Sequence, residues 1–174
     1  MPDLYQGNEY WDFSLVDPDN RRPVDYPARR STLAEGAPLD ALLSHWHDGR
    51  VKQALVARVQ DCRMANPELF RRGSYLPLTV KGRHADKVVA FARLGDTQRA
   101  VIVAPRLASG LLGAAQSPHV PAQNWEDTRV ILPFDFSPAN STGLFGGAVV
   151  SPVRELMVCA VLSDFPVNLL IEDN

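Results

Sequence analysis

The sequence contains little cysteine. Its 174 residues include 2 cysteines, Cys62 and Cys159, which are too few for a disulfide framework or a zinc site. We therefore expect both side chains to be small, buried, apolar groups in a protein from a reducing compartment. This usage favours a cytoplasmic location.

The sequence also lacks a strong charge of either sign and any long apolar run. Its net charge of −2 provides no attraction to nucleic acid or to an anionic membrane. No apolar stretch approaches the roughly 20 residues that span a bilayer. The N-terminus has neither the basic region nor the apolar core of a signal peptide. We therefore expect neither nucleic acid nor a membrane as a partner.

Patterns that hold metals or cofactors are missing as well. His45 and His47 lie two residues apart in a predicted helical region, where side chains at that spacing point about 200° apart and cannot share an ion. A phosphate-binding loop lies between the end of a strand and the start of a helix. The predicted positions of Gly143, Gly146 and Gly147 do not meet this requirement. We expect neither a metal nor a cofactor.

A polar and aromatic segment at residues 9–25 stands out from the rest of the chain. It holds five acidic residues, two arginines and three aromatic residues in seventeen positions. It has no helical or strand periodicity, and its Asp-Pro and Asp-Asn pairs are typical of turns. Because its aromatic and aliphatic residues argue against disorder, we predict a long structured loop with a function.

Two interpretations of this loop stay open on composition alone. Aromatic faces beside carboxylates and guanidinium groups suit a sugar, which offers apolar C–H faces and hydroxyls. Alternatively, Asp17, Asp19, Arg21 and Arg22 pair with one another and only fix the shape of the loop, since ion-pair networks also build loops.

Helices are predicted after the loop. Asp25 is a good N-cap for a helix over Tyr26–Glu35 that stops at Gly36, and Pro38 opens a second short helix. A longer helix over 49–65, capped by Asp48, has an apolar stripe, with Gln53 among the polar residues facing away.

From residue 74 onwards the periodicity changes to that of strands. The predicted strands cover 74–81, 87–94, 98–105, 128–132, 144–150, 155–161 and 167–172, with a surface loop over 107–123. Many short strands with turn signals predict an antiparallel sandwich or barrel of about a hundred residues.

Specific motifs resemble a known family. The pattern Pro-x-x-Tyr-x-Gly-x-Glu at residues 2–9 resembles the segment that closes the last barrel strand of α-amylase-type glycoside hydrolases. The run Asp-Pro-Asp-Asn-Arg-Arg-Pro-Val-Asp at residues 17–25 is similar to one family in that superfamily, the malto-oligosyltrehalose synthases. The resemblance continues through residues 66–70, 125–128 and 164–167.

The resemblance implies a two-part α+β fold. Residues 1–73 would be the end of a (β/α)₈ catalytic barrel, with a strand end at 2–9, the long loop and the terminal helices. Residues 74–174 would be the C-terminal antiparallel β-sandwich. Because the chain begins inside a motif, we expect either an excised fragment or a truncated reading frame, and an N-terminal barrel portion as the missing partner.

The resemblance also implies a reaction. The family converts the reducing-end α-1,4 bond of a maltodextrin into an α,α-1,1 bond by intramolecular transglucosylation. Its catalytic carboxylates lie upstream of Met1, so we expect no catalytic residue in this chain and no activity from the chain alone. The loop would form one wall of the site for a maltodextrin substrate. Its expected substrate-binding residues are Trp11, Asp17, Asp19, Asn20, Arg21 and Arg22.

A different interpretation is a stand-alone carbohydrate-binding or structural β-domain. Such a domain needs an exposed aromatic platform, and only Trp125 and Tyr75 in the β-part can provide it.

Overall fold

The computed structural model describes residues 5–137, 143–149 and 153–173. It divides into two compact units, Met1–Cys62 and Arg63–Asn174. In the described part of the chain, no helix is long and apolar enough to cross a membrane. The predicted assignment of residues 1–73 to a barrel end and 74–174 to a C-terminal domain stays a prediction.

Three helices form the framework of the first unit. Helix α1 spans Tyr26–Glu35, α2 spans Leu39–Ser44 and α3 spans Arg50–Ala65, which ends within the second unit. The Asp25 carboxylate accepts a hydrogen bond from the Ala28 N–H at 3.0 Å, and Gly36 ends α1 in the left-handed region at φ 59°. The capping signals therefore predicted α1 correctly, because capping depends on neighbouring residues only.

Two predictions for the first unit are wrong. Gln53 does not face away, since it is 3% exposed and its Nε2 donates to the Arg29 carbonyl at 3.0 Å. Residues 6–9 form a turn rather than a strand end, with the Asn8 N–H donating to the Tyr5 carbonyl at 3.1 Å. Residues 2–4 of the predicted strand lie outside the described residues.

In its described residues, the second unit contains two antiparallel sheets and two short α-helices, together with 3₁₀ turns at Ala85–Lys87, Ser109–Leu111 and Ala122–Trp125. Helix α4 spans Pro67–Arg72 and α5 spans Val158–Val161. Strands β1, β3, β4 and β7 form one sheet in that order, and β2, β5 and β6 form the other. In chain order the strands are Ser74–Pro77, Thr79–Lys81, Val88–Leu94, Gln98–Pro105, Arg129–Phe136, Val153–Met157 and Asn168–Asp173.

The two sheets share one hydrophobic core. Val101 and Val103 from the first sheet and Val130 and Phe136 from the second are fully buried in the same cluster. Burying a side chain of this size contributes about 1.5–3 kcal/mol relative to leaving it exposed. The core thus accounts for the alternating pattern of the strands, because residues of one face are buried while their neighbours point outwards.

Three strand predictions needed correction. The predicted strand 74–81 is interrupted at Leu78, where the chain passes from one sheet to the other. Residues 144–145 form a turn closed by a Gly143–Gly146 bridge, and residues 147–149 have no regular secondary structure. Residue 150 lies outside the described residues. The predicted strand 155–161 turns into α5 after Met157, where burial of Val158 and Val161 on one helical face outweighs their β-propensity.

Both cysteines are half-buried rather than fully buried.

Candidate functional site

Two aspartates of the long loop fix its backbone. The Asp12 carboxylate accepts hydrogen bonds from the Ser14 N–H at 2.8 Å and from the Ser14 hydroxyl at 2.5 Å. Asp19 accepts from the Leu15 N–H at 3.0 Å through Oδ2, and its own N–H donates to the Val16 carbonyl at 3.1 Å. The loop is therefore an ordered element built by local side-chain to backbone bonds.

Ion pairs join the four charged residues that the sequence singled out. The Arg21 guanidinium donates to both carboxylate oxygens of Asp17, with Nη2 at 2.8 Å from Oδ2. Arg22 donates to Asp19 through Nη2. This is the pairing that the second interpretation of the loop predicted. The arginine side chains are nevertheless 69% and 71% exposed, so the pairs add little stability and leave both guanidinium groups accessible.

The hydrogen bonds of the loop keep two carboxylates ionised. The Ser14 hydroxyl and N–H lower the pKa of Asp12, and the Leu15 N–H, followed by Arg22, lowers the pKa of Asp19. A general acid for glycoside transfer needs a raised pKa instead. These two groups are therefore suited to accept hydrogen bonds rather than to donate a proton.

Trp11 is anchored at the edge of the loop. Its indole N–H donates to the Trp46 carbonyl at 2.6 Å, and the two indole rings meet edge to face at 6.3 Å between centroids. The Lys52 ammonium lies 5.6 Å from the centroid of the Trp11 ring, within the range of a cation–π contact. Trp11 keeps 38% of its surface exposed.

Arg29 is a supporting residue that the sequence reasoning missed. From α1 its guanidinium donates to Glu9 at 3.0 Å, to the Gly7 carbonyl at 2.7 Å and to the Asp25 carbonyl at 3.1 Å. It also lies 4.7 Å from the centroid of the Tyr10 ring. No local signal could have identified this role, because Glu9 and Gly7 are 20 and 22 residues away in the chain.

Lys52 is a second missed residue. From α3 its ammonium donates to Asn8 Oδ1 at 2.8 Å and to the Tyr10 carbonyl at 3.1 Å. The start of the loop is thus held by cations from two different helices.

A groove of about 480 Å³ runs along the loop. Of the expected substrate-binding residues it brings together Trp11, Asn20 and Arg22, whereas Asp17, Asp19 and Arg21 are absent from its lining among the described residues. Arg29 and Asp12 add a further cation and anion to its wall. The groove thus offers an aromatic ring, positively charged hydrogen-bond donors and a negatively charged acceptor. Such a lining suits a ligand rich in hydroxyl groups.

Asn20 carries an unsatisfied acceptor in this wall. Its side-chain oxygen is buried and has no hydrogen-bond partner among the described residues. A buried polar atom without a partner costs free energy, so a donor from a ligand or a water would stabilise it.

The alternative aromatic platform in the β-part is weaker than expected. Trp125 is 1% exposed and belongs to the hydrophobic core, so its ring cannot stack on a ligand. Tyr75 is 57% exposed and packs against Phe91 in a tilted arrangement, with 5.0 Å between ring centroids. A single exposed tyrosine is a small surface for recognising a sugar.

Comparison with known proteins supplies independent information. No family model matches the chain. Two Mycobacterium tuberculosis proteins, from different strains and named as candidate maltooligosyl trehalose synthases, are 36% identical to it over 174 residues. The match covers 100% of this chain but 19% of those proteins. The chain spans about a fifth of the length of the curated relatives that it matches.

Solved structures agree with this result. The maltooligosyltrehalose synthase from Arthrobacter ramosus matches 99% of this chain with a TM-score of 0.64 and 36% identity, over 20% of the length of that enzyme. A point mutant of the same enzyme matches with a TM-score of 0.66 and 35% identity.

The comparisons confirm the resemblance that the motifs predicted. In sequence and in fold, the whole chain is similar to a segment that makes up about a fifth of a maltooligosyl trehalose synthase, an extent consistent with the C-terminal portion of such an enzyme.

Proposed function

We propose that this chain acts as the C-terminal part of a maltooligosyl trehalose synthase. The parent enzyme would convert the reducing-end α-1,4 bond of a maltodextrin into an α,α-1,1 bond by intramolecular transglucosylation. The observation that carries the proposal is the 36% identity along the whole chain. The motif-bearing loop and its polar groove support it, because they supply the groups that a sugar requires.

Each unit then has a structural role. The loop and helices of the first unit are the end of the catalytic barrel, and the two sheets of the second unit are a C-terminal β-sandwich. Two antiparallel sheets with a common core support the second assignment. Loops at the C-terminal ends of barrel strands carry the chemistry in such folds, which gives the loop a place at the substrate.

Within the intact enzyme, the loop residues would orient the sugar. Arg22 and Asn20 line the groove and would bond to hydroxyl groups, while Trp11 would offer its exposed surface to a ring face. Asp17, Asp19 and Arg21 would contact the sugar at the outer side of the loop, where Arg21 is exposed.

A pair of arginine variants tests the substrate contact. In a full-length enzyme that carries this segment, Arg22→Ala should lower kcat/KM for maltodextrin about 10- to 100-fold, because a lost charged hydrogen bond costs about 1.5–3 kcal/mol. Arg58→Ala is the control, since Arg58 is exposed on α3, and should change kcat/KM less than twofold. Equal kinetics for the two variants would remove Arg22 from the site.

The isolated chain should be inactive. A retaining transfer needs a nucleophilic carboxylate and a carboxylic acid about 5–5.5 Å apart on either side of the scissile bond. In the described residues, Asp17 and Asp19 are instead bound to arginines on one loop. Such a loop can orient a sugar, but it does not place reacting carboxyl groups on both sides of the scissile bond.

The measurement is the concentration of reducing ends in a maltodextrin solution, which isomerisation lowers and hydrolysis raises. We expect no change above a buffer control with the purified chain. A change in either direction that Asp17→Asn or Asp19→Asn abolishes would show that the catalytic carboxylates lie in this chain.

A further inference from the structure

Three large apolar side chains project from the long loop into solvent. Phe13 is 91% exposed, Leu15 is 78% exposed and Val16 is 83% exposed. We call these three residues the apolar edge. Single exposed apolar residues are common, but a contiguous group of large ones marks an interaction surface.

The backbone that carries the apolar edge is fixed. Asp12 bonds to the N–H and hydroxyl of Ser14, between Phe13 and Leu15. Asp19 bonds to the Leu15 N–H and, through its own N–H, to the Val16 carbonyl. A surface whose shape is set before binding loses less conformational entropy on association. The geometry is therefore that of a prepared docking surface.

The charges next to the apolar edge are already compensated. Asp17 is paired with Arg21, and Asp19 with Arg22. The surface therefore offers no excess positive charge that would attract anionic lipid or a nucleic acid backbone. A complementary partner is an apolar protein surface with a low charge.

The first unit also buries few apolar side chains of its own. In residues 5–62 the buried apolar side chains are Leu42, Leu43 and Val51. None of them comes from the loop, and the side chains of Phe13, Leu15 and Val16 lie mostly in solvent.

We propose that the apolar edge docks on an apolar surface of the polypeptide that corresponds to the other four-fifths of a maltooligosyl trehalose synthase. This inference rests on the proposed function. It follows from the fraction of the relatives that the chain matches, 19% to 20%, which leaves a much larger polypeptide to cover the edge. Docking through Phe13, Leu15 and Val16 would set the position of the groove, which Phe13 also lines, and would hold Arg22 and Asn20 towards the substrate.

Thiol labelling tests the proposal. A chimera is made in which this chain replaces the matching segment of the Arthrobacter ramosus enzyme, and Leu15→Cys is labelled in the chimera and in the free chain without any sugar. Met64→Cys is the control, because Met64 is 71% exposed and lies outside the edge. Peptide mass spectrometry separates both positions from the native cysteines.

We expect labelling at position 15 to be at least tenfold slower in the chimera than in the free chain, and the rate at position 64 to change less than twofold. Equal slowing at the two positions, or none at position 15, overturns the proposal. If the chimera does not fold, the same cysteine is placed at the position of the Arthrobacter ramosus enzyme that aligns with Leu15. Fast labelling there overturns the proposal, and slow labelling supports it.

Two other occupants have their own readouts. Protection of position 15 in the free chain that grows with protein concentration would assign the edge to a second copy. Protection by vesicles of phosphatidylserine and phosphatidylcholine would assign it to a membrane. Either result overturns the proposal. The labelling is done without sugar and does not depend on activity towards maltodextrin. The docking surface and the proposed function are therefore tested separately.

Discussion

Different forces stabilise the interiors of the two units of this chain. In residues 63–137, 143–149 and 153–173, two sheets enclose a continuous apolar core that includes fully buried Val101, Val130 and Phe136. In residues 5–62, the loop and helices are joined by hydrogen bonds from Arg29 and Lys52, while large apolar side chains remain exposed. The second unit thus has an extensive apolar interior, whereas polar contacts form the framework of the first.

The difference separates stabilisation by apolar burial from the control of geometry by polar contacts. Apolar burial is the main favourable term in folding, so we expect the core to provide most of the stability of the second unit. Polar contacts have a small net effect on stability but fix geometry, which is what a ligand-binding loop requires. We therefore expect the two units to respond differently to matched substitutions.

The largest contrast is expected for two phenylalanines. Phe136→Ala should lower the free energy of unfolding by about 3–5 kcal/mol, because it removes a fully buried ring and leaves a cavity. Phe13→Ala should change it by less than about 0.5 kcal/mol, because Phe13 is 91% exposed. Urea unfolding followed by circular dichroism measures both. A similar loss for Phe13→Ala would mean that the loop already has an apolar core in the free chain.

A buried amide provides the next contrast. The Asn168 side chain accepts hydrogen bonds from the Phe145 and Leu169 N–H groups at 3.2 and 2.9 Å, and donates to two carbonyl oxygens, those of Gly146 and Val161, at 2.6 and 2.8 Å. Asn168→Ala should destabilise the second unit by about 1–3 kcal/mol, because buried backbone groups lose their partner.

The matched change in the first unit is Asn8→Ala. Asn8 accepts one hydrogen bond from the Lys52 ammonium at 2.8 Å. Its loss should cost less than the loss of Asn168, because Asn8 is only half-buried and the ammonium keeps its bond to the Tyr10 carbonyl. Both values come from thermal or urea unfolding. If the two variants lost equal stability, the contrast between a buried network and a peripheral bond would not hold.

Two arginines on α1 test the polar framework. Arg29→Ala should loosen the start of the loop, because it removes three hydrogen bonds, and hydrogen bonds to charged groups contribute about 1.5–3 kcal/mol. Arg30→Ala is the control, since Arg30 is exposed. Hydrogen exchange in residues 5–25 should become faster for Arg29→Ala alone. Identical exchange in the two variants would show that Arg29 does not hold the loop.

The smallest effect is expected in the titration of two aspartates. The pKa of Asp19 is lowered mainly by the Leu15 N–H and only then by Arg22, whereas the pKa of Asp135 is lowered first by Arg154. Arg22→Ala should therefore return the pKa of Asp19 only part of the way to its usual value. Arg154→Ala should return the pKa of Asp135 most of the way. NMR titration of the side-chain carboxyl carbons measures both.

The sign of the pH effect follows from these directions. Because both carboxyl groups have a lower pKa in the folded state than in the unfolded chain, their contribution to stability is present above the unfolded pKa. It is lost as the pH falls through the folded pKa. An equal return of the two pKa values in the arginine variants would mean that the backbone bond to Leu15 has no special weight.

Local sequence signals determined a large part of this structure. The Asp25 cap and the Gly36 stop gave both ends of α1, because each acts within a few residues. Helix α3 begins at Arg50, one residue after the predicted start, and the Asp48 carboxylate accepts a hydrogen bond from the Arg50 N–H. The alternating pattern of residues 98–105 predicted β4 with the observed bounds. The motif at residues 17–25 was also enough to suggest the relatives that the comparisons then found.

The tertiary structure alone decided the rest, because the contacts responsible lie far apart in the chain. The burial of Gln53 depends on the Arg29 carbonyl, 24 residues away, and the helical turn at Val158–Val161 depends on packing in the core, against the local β-propensity. Composition also left open whether the arginines of the loop pair with its own aspartates. The structure shows that they do, but here the partners are close in sequence: Arg21 pairs with Asp17 four residues away, and Arg22 pairs with Asp19 three residues away. Local patterns encode caps and periodicity, but the partner of a long or charged side chain depends on where the fold places the groups that can receive it.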